Sequence, residues 1–563
     1  MAVLAEAPAS SWTHTPRFQL VLGLLVLTLV GLATAAPVVL VVVGAVKANL
    51  WYDTFIADSG NRAALANSLL LSLRAPIAAV FGFLIAWLLI RVRIPGSRFI
   101  EFALWITFFV PILPVTLSWI LLLSPSYGLI NQLAKMLPFV TESPFNIYSI
   151  SGILWVHVTA SSIPIMVVML APAIRQLDSS FEEVARVCGA NPFTVFRHIT
   201  FPILAPAILT GALAGFIKSL EAFEVERLLG RPVNIHVYST RIYDFVSLEP
   251  PNFEAAMALS TFVLLVLLVI AIVYQRISLR FDYATVLGRG ASFRPLRLGR
   301  VRWLLSAALF LLVGISLGFP LLMLVVGSCM KLFGFFTIGS PFTLDHWHEV
   351  LNDPLFTKAL RNSLILGCGA GFVGVVVYAG LAQIILRSKL PGRRIIDILA
   401  WLPWSIPGLL LGISMLWIIL SAPLLSPLFG SMTSLVLLMV IAQMPIGVHM
   451  IKTSIGQISV ELEQSSRVCG AGSLRTFRLI VLPLIKPMLV SIFVIVFIAA
   501  LRDISTIIFL SSGNSQTLSL LMMQFALASN LEASAVIGVM TTSIVLVVAL
   551  VARRFGLRVL EQT

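Results

Sequence analysis

Charged side chains are scarce in this sequence. Only 11% of the 563 residues are Asp, Glu, Lys or Arg, and 59% are hydrophobic, whereas soluble domains average about 25% and about 45–50%. So few polar side chains cannot cover a water-exposed surface, which excludes a soluble globular protein. The composition predicts an all-α integral membrane protein.

Cysteine, histidine and nucleotide-binding motifs are also sparse. The four cysteines (188, 329, 368 and 469) have no CxxC or metal-ligand spacing, and the seven histidines are scattered. This pattern indicates neither a disulfide framework nor a zinc site, and it lacks the clustered His, Asp or Cys of a polytopic membrane enzyme. No Gly-Lys pair occurs, so the chain has no G-x-x-x-x-G-K-[ST] loop to hold nucleotide phosphates. We expect no catalytic residues, no metal site and no cofactor on this chain.

Twelve apolar runs are each long enough to cross a bilayer core of ~30 Å, which takes about 20 residues. They are 18–46, 63–90, 99–123, 151–174, 203–220, 254–275, 303–330, 361–386, 395–420, 432–451, 484–501 and 531–552. The first run could be a signal peptide, since Ala33-Thr34-Ala35 resembles a cleavage site. However, the run continues to Val46, so we expect a retained span.

The basic residues give the orientation. The net charge of +14 could suggest nucleic-acid binding, but Lys and Arg stand at the ends of apolar runs rather than in one patch. With the N-terminus inside, 26 of the 38 Lys and Arg fall on the cytoplasmic side, as the positive-inside rule requires. We therefore expect both termini in the cytoplasm and contact with membrane lipids, but no nucleic-acid partner.

The sequence contains two related halves. Residues 181–206 align without gaps to 462–487, with eleven of the 26 pairs identical, and the Ala-Leu-x-Asn-Ser-Leu segment at 64–69 recurs at 359–364. With six spans each, the halves are parallel repeats, which is a transporter architecture. We predict a first half at 1–278, a basic cytoplasmic linker at 279–302 and a second half at 303–563. The linker is either a solvated positive-inside segment or a contact for anionic lipids.

The repeated segment predicts a helix, a break and a second helix on the cytoplasmic side. Ser179 and Glu182 have capping-box spacing, Gly189 can end the first helix, and Asn191 with Pro192 can begin the second. Such an elbow would direct Glu182, Glu183 and Arg186 away from the membrane toward a partner. Two gapless copies make a mere connecting loop a poor explanation.

These residues resemble the "EAA" motif of permease subunits of type I ATP-binding-cassette (ABC) importers. The motif appears here as Glu183-Val184-Ala185, Gly189, Ile199 and Pro202. The second copy departs from it, because Gln464-Ser465-Ser466 replace the acidic triplet, although Glu463 is adjacent. The resemblance implies the fold of that family and a set of ATPase-coupling residues: Glu182, Glu183, Ala185, Arg186, Gly189, Pro202, Glu463, Gln464, Arg467, Gly470 and Pro483.

The same resemblance implies partners. We expect two cytoplasmic ABC ATPase subunits, which hold ATP and Mg, and an extracytoplasmic solute-binding protein, with the chain in a bacterial inner membrane. The region around Ser219–Glu224 and Leu228–Pro232 resembles fused permeases of the ferric-iron group, whose relatives carry thiamine, polyamines and phosphonates. Ferric iron or a related small solute is the expected cargo.

Ionisable residues near the outer end of span five are candidates for the pathway or gate, since charges in membranes usually face a cavity or each other. The first-half cluster consists of Lys218, Glu221, Glu224, Glu226 and Arg227, and Arg502-Asp503 match it in the second half. The pathway candidates are Lys218, Glu221, Glu224, Arg502 and Asp503. An ion-pair set that fixes packing explains them equally well. If the carboxylates bound protons or sodium, the chain could instead be an ion-coupled secondary transporter, although the two elbows argue against this.

The segment Asp345-His346-Trp347-His348-Glu349 suggests a metal site at first sight. Residues two apart on a helix point in nearly opposite directions, so one helix would not offer both imidazoles to one ion. The spacing of Leu344, Trp347 and Leu351 instead predicts an amphipathic surface helix that could touch the binding protein.

Overall fold

The computed structural model describes residues 16–49, 54, 57–178, 180–280, 299–388 and 390–554. Most of the predicted linker, Ser179 and the last nine residues lie outside these ranges. Regular structure in the described part is helical, apart from isolated bridge residues such as Met330 and Phe342, which pair with each other.

Among the described residues, thirteen α-helices belong to the first half of the sequence. They are α1 Pro16–Ala48, α2 Ser59–Ser72, α3 Arg74–Arg91, α4 Ser97–Phe109, α5 Ile112–Leu123, α6 Leu129–Lys135, α7 Ile150–His157, α8 Ile163–Gln176, α9 Ser180–Val187, α10 Pro192–Val195, α11 Phe201–Leu220, α12 Tyr238–Val246 and α13 Phe253–Arg280.

The described part of the second half contributes twelve. They are α14 Val301–Val313, α15 Phe319–Ser328, α16 Asp345–Asn352, α17 Pro354–Arg387, α18 Arg393–Trp401, α19 Gly408–Ser421, α20 Met432–Gly456, α21 Val460–Val468, α22 Ser473–Thr476, α23 Leu482–Arg502, α24 Leu518–Leu527 and α25 Leu531–Arg554.

Ten described helical stretches are long and apolar enough to cross a membrane, and twelve if two bent pairs each count as one span. The bent pairs fall within the predicted runs 99–123 and 395–420, where the helices meet at 104° and 113°. Pro111 and Pro407 stand at the bends and the residue before each is extended. Proline lacks an N–H and disfavours a helical residue before it, so each run is broken there.

The chain forms two compact units. One contains the described residues of Met1–Gly44, Lys358–Thr517 and Val548–Val559; the other contains those of Ala45–Thr357 and Leu518–Val547. Most of α1 therefore belongs with second-half helices, and α24 with most of α25 belongs with first-half helices. The sequence division at 279–302 describes the repeat and stays a prediction.

Each unit contains a matched helix pair with a close contact. In α3 and α8, a Cβ on Gly82 would lie 2.4 Å from the Cβ of Met166. At the equivalent point of α17 and α20 the sizes are exchanged, because a Cβ on Gly447 would lie 2.1 Å from the ring of Tyr378. Small residues let membrane helices approach closely. The first half has its glycine on the first helix of the pair, α3, and the second half has it on the second helix, α20.

Side-chain amides explain the repeated Asn-Ser-Leu segment. Asn67 Nδ2 donates to His236 O at 3.0 Å, and Asn362 Nδ2 donates to Asn514 O at 2.9 Å and Gln516 O at 3.0 Å. In both units the asparagine thus binds the loop that follows the fifth span of its own half. The repeat found in the sequence is therefore a repeat of tertiary contacts.

The exchanged contact gives a stability prediction. We expect Gly447→Met to destabilise the protein by about 1–3 kcal/mol, because the added side chain overpacks the site occupied by Tyr378. Adding Tyr378→Gly recreates the first-half combination and should recover part of the loss in thermal unfolding of the solubilised protein. Gly380→Ala in α17, where a Cβ meets nothing within 4 Å, is the control. Equal unfolding temperatures for the Gly447→Met single and double variants would contradict the exchange.

Candidate functional site

The first predicted elbow has the expected helix, break and helix. α9 ends before Gly189, which has φ +86°, and the N–H of Ala190 donates to Ala185 O at 3.0 Å, the long bond of a Schellman cap. Asn191 Oδ1 then accepts from Thr194 N at 2.7 Å and caps α10. A five-residue π-helical segment, Phe196–Thr200, leads into α11.

The second elbow repeats this geometry. α21 ends before Gly470, which has φ +81°, and Ala471 N donates to Ser466 O at 3.1 Å. α22 and the π-helical segment Phe477–Val481 lead into α23. A Cβ on Gly189 or Gly470 would meet nothing within 4 Å, so backbone strain alone disfavours another residue there.

The main departure from the sequence prediction is the direction of Glu182, and of Glu463 at the equivalent position. We call these two residues the inward acids of the elbows. Glu182 was expected to face outward, but only 5% of it is exposed, and its Oε1 accepts from Thr200 Oγ1 at 2.8 Å. In the second elbow Glu463 is 3% exposed and its Oε1 lies 2.9 Å from Arg387 Nε. The outward expectation is wrong for Glu182, because a charge with protein partners on one side of a short helix is stabilised by facing them.

Each elbow exposes a group of apolar side chains instead. Val187 and Val468 occupy equivalent positions and are each 88% exposed. The other exposed apolar residues and cysteines on the two elbows are Phe181, Val184, Cys188, Phe193, Val460, Leu462 and Cys469, and in the second elbow the polar Glu461, Gln464 and Ser465 are exposed beside them. Sequence reasoning followed the charged residues and missed this face, although its spacing along α9 could have revealed it.

The remaining predicted elbow residues have varied environments. Glu183 and Ala185 are half-buried, whereas Gln464, Pro202 and Pro483 are exposed. The side chains of Arg186 and Arg467 lie outside the described part of the protein.

The charges after span five form two sets. Lys218 Nζ lies 2.8 Å from Glu221 Oε2 near the surface, with the lysine side chain 46% exposed. Deeper, Glu226 Oε1 lies 3.2 Å from Arg74 Nη1 and 2.8 Å from His157 Nε2. All three residues of the deeper set are at most 5% exposed, so they join α3, α7 and the segment after α11 as a packing network.

A neighbouring pair extends the buried network. Arg227 Nη1 lies 2.5 Å from Asp244 Oδ1, and its guanidinium lies 4.7 Å from the centroid of the Tyr243 ring. His236 Nδ1 is 3.5 Å from Asp244 Oδ2; burial lowers the pKa of His236, and Asp244 opposes that effect. Sequence reasoning missed Arg74, His157 and Asp244, although an arginine at residue 74 inside an apolar run is a signal.

The second-half candidates have another arrangement. Asp503 accepts hydrogen bonds from Thr506 N at 2.9 Å and Thr506 Oγ1 at 2.8 Å, and so caps the turn that follows α23. Arg502, Asp503 and Glu224 are half-buried. Lys218, Glu221 and Glu224 belong to one compact unit, and Arg502 and Asp503 belong to the other.

Comparison with known proteins decides the family. The model of the family described as binding-protein-dependent transport system inner membrane component matches residues 78–283 and 371–561, more than half the chain. The chain belongs to this family. It is a permease of a binding-protein-dependent ABC importer with two fused permease halves, as the sequence predicted.

Two curated relatives carry ferric-transport names. The permease is 28% identical over 385 residues to the ferric transport system permease protein FbpB of Actinobacillus pleuropneumoniae, covering 66% of this chain and 53% of that one. It is 24% identical over 509 residues to the Fe(3+)-transport system permease protein FbpB 2 of Haemophilus influenzae, covering 88% and 90%. The permease thus spans about half the length of the first relative and most of the second.

A solved structure is also similar. It is a bacterial ABC transporter involved in the import of the acidic polysaccharide alginate, 20% identical, with a TM-score of 0.39, covering 45% of the permease and 95% of that chain.

The segment Asp345–Glu349 of the permease lies in α16, the predicted surface helix. His346 Nδ1 lies 3.5 Å from Glu349 Oε2, while His348 Nδ1 is 3.0 Å from Asn352 Nδ2. The two imidazoles therefore have separate partners. Among the described residues, no group of three His, Cys, Asp or Glu could hold a metal ion.

The buried network gives a second stability prediction. We expect Glu226→Gln to destabilise the permease by about 3–5 kcal/mol, because Arg74 keeps a buried charge without its counter-charge. Lys218→Ala, at the exposed end of the same region, should change stability by less than about 1 kcal/mol. Thermal unfolding of both variants in detergent checks this, and equal losses would contradict a packing role for Glu226.

Proposed function

We propose that the permease forms the translocation pathway of a bacterial inner-membrane importer and couples it to ATP hydrolysis through the two elbows. In this proposal both termini are cytoplasmic, and two ABC ATPase subunits bind below. A solute-binding protein delivers cargo from outside. The ATPase subunits hold ATP and Mg, and this chain supplies movement rather than covalent chemistry.

The matched exposed faces of the elbows carry the proposal. Each elbow ends its first helix with a Schellman cap, and each places a valine, Val187 or Val468, 88% exposed beside that cap. Exposed apolar side chains at equivalent sites indicate contact with a partner, and two equivalent sites suit two copies of one partner. Family membership also favours this function over an ion-coupled secondary transporter.

The elbow geometry suits the transmission of force. The π-helical segments Phe196–Thr200 and Phe477–Val481 run into α11 and α23, so each elbow continues into a membrane-spanning helix. ATP-driven closure of the ATPase dimer would draw the two elbows together and open the pathway outward. Hydrolysis would then restore the inward-open state.

Ferric iron, or a related small solute, is the proposed cargo. The names of the two ferric-transport relatives support it, and carboxylates such as Glu221 are oxygen ligands of the kind that a hard cation prefers. Thiamine, a polyamine or a phosphonate is the alternative, because Lys218 and Arg502 also suit an anion or a chelate.

The exposed valines test the elbow contact. We expect Val187→Glu and Val468→Glu each to reduce co-purification of the ATPase subunits at least about tenfold, because a charge replaces an apolar contact at the interface. The matched control is Leu424→Glu, at a residue that is 91% exposed and lies outside the elbows. Undiminished ATPase binding by both elbow variants would count against the proposal.

The glycines test coupling itself. Gly189→Val and Gly470→Val should uncouple ATPase activity from uptake in reconstituted vesicles, because a β-branched residue at positive φ is strained by about 1–2 kcal/mol and alters the angle of the elbow. Uptake per ATP hydrolysed should fall while ATPase activity persists. Normal uptake by both variants would show that the elbow angle is unimportant.

Cargo is tested with the complete importer. Vesicles containing the permease, its ATPase subunits and its binding protein should accumulate ferric iron on addition of ATP, and excess ferric iron should compete with its own labelled form. Competition by thiamine, spermidine or a phosphonate but not by ferric iron would select the alternative cargo.

A further inference from the structure

Two arginines occupy equivalent positions at the ends of α3 and α17. Arg91 Nη2 donates to Ile174 O at 3.0 Å and also to Leu177 O. Arg387 Nη2 donates to Ile455 O at 3.1 Å and Ile458 O at 2.7 Å. The carbonyls correspond one to one in the alignment of the halves, so the two contacts are the same structural device.

Arg387 also pairs with Glu463, the buried acid of the second elbow. Arg387 Nε lies 2.9 Å from Glu463 Oε1, and the charge of Glu182 acts on Arg91, with Asp178 adding to it. Arg91 is 2% exposed, and the side chains of Arg387 and Glu463 are 15% and 4% exposed. At such burial a charge needs its partners, because water cannot replace them.

The position of these contacts along the chain is informative. α8 ends at Gln176 and α9 begins at Ser180, while α20 ends at Gly456 and α21 begins at Val460. Arg387 therefore binds carbonyls before a three-residue joint and pairs with the acid after it, and Arg91 binds the equivalent carbonyls before the joint of the first half. A side chain that holds both sides of a joint prevents the joint from bending.

The residues beside the arginine and the inward glutamate differ between the two halves, but the arginine and the glutamate are present in both. The neighbouring acid is Glu183 in the first elbow and Gln464 in the second, whereas the inward position is glutamate in both. Most of the 26 aligned positions differ, yet both members of the arginine–glutamate pair are present in each copy.

We propose that Arg91 and Arg387 are positioning residues that lock each elbow to the membrane helices beside it, so that α9 moves with α3 and α8, and α21 with α17 and α20. The proposal rests on the function proposed above, since it assigns the elbow a coupled movement. Without the lock, the ATPase would displace the elbow while the spans stayed in place.

Distances within one half test the lock without any cargo. With the other native cysteines replaced by serine, spin labels at Cys469, exposed in the second elbow, and at Phe372→Cys, which replaces a 69% exposed residue of α17, report on the elbow and the span. In the assembled complex we expect one narrow distance distribution that is unchanged between nucleotide-free and ATP-bound states. Arg387→Gln should broaden it or shift it on ATP binding. A wild-type distance that changes with ATP, or an Arg387→Gln distance that does not, would overturn the proposal.

Coupling is measured in parallel with a double-mutant cycle. Arg387→Gln and the isosteric Glu463→Gln should each lower uptake of ferric iron per ATP hydrolysed about three- to tenfold, and the double variant should be no worse than the poorer single variant. Arg387→Lys should recover only part of the loss, because one ammonium cannot reproduce the guanidinium fork. Val376→Ala, at a residue of α17 that is 60% exposed and lies outside the elbow, is the control. Additive losses would overturn the proposed pairing.

Crosslinking distinguishes a failure of the proposed lock from a failure of the proposed function. A crosslinker on Cys469 should capture an ATPase subunit equally well in wild type and in Arg387→Gln. Capture with unchanged coupling in Arg387→Gln would refute the lock and leave the proposed function intact. Failure to capture an ATPase from Cys188 or Cys469 in the wild type would refute the proposed function and the lock with it.

Discussion

Backbone carbonyls at helix ends are the constraint on which the rest of this permease depends. A helix that stops inside or beside a bilayer leaves carbonyls without intrahelical partners, and hydrocarbon offers none. Arg91 and Arg387 donate to the carbonyls before each elbow, and Asn67 and Asn362 donate to the loops after span five. The donors come from distant helices, so satisfying the backbone also joins helices that are far apart in sequence.

Local patterns predicted much of this architecture. Apolar runs located the spans, and Gly189 with Asn191 predicted the break in the elbow, because both signals depend on neighbouring residues. Hydropathy did not reveal the bends at Pro111 and Pro407, since proline lowers the apolar average of a run very little. The direction of Glu182 was also beyond the sequence. Glu182 and Glu183 are adjacent in the sequence, and it is the position of Thr200, whose hydroxyl donates to Glu182, that shows which of them turns inward.

The contact between α3 and α8 shows how the halves diverged while keeping one geometry. Gly82 faces Met166 in the first half, and Tyr378 faces Gly447 in the second. Each pair combines a large side chain with a glycine, so the volume that the two residues fill between their helices is limited in both halves. The helix that carries the large residue is the second of the pair in the first half and the first of the pair in the second half. A residue-by-residue alignment counts two mismatches here. In the structure, however, both contacts place one glycine against one large side chain, and only the helix that carries the glycine differs. Sequence identity between the copies therefore understates their structural equivalence.

The buried set of Arg74, His157 and Glu226 has apolar counterparts in the second half, namely Gly369-Ala370, Leu438 and Ile507. A symmetric dimer made from one short gene product would have to carry every substitution twice. Joining both copies in a single polypeptide removes that obligation, and each copy can acquire residues that would be harmful if duplicated. In this chain a buried charged network was acquired by one copy alone, while the corresponding positions of the other copy stayed apolar.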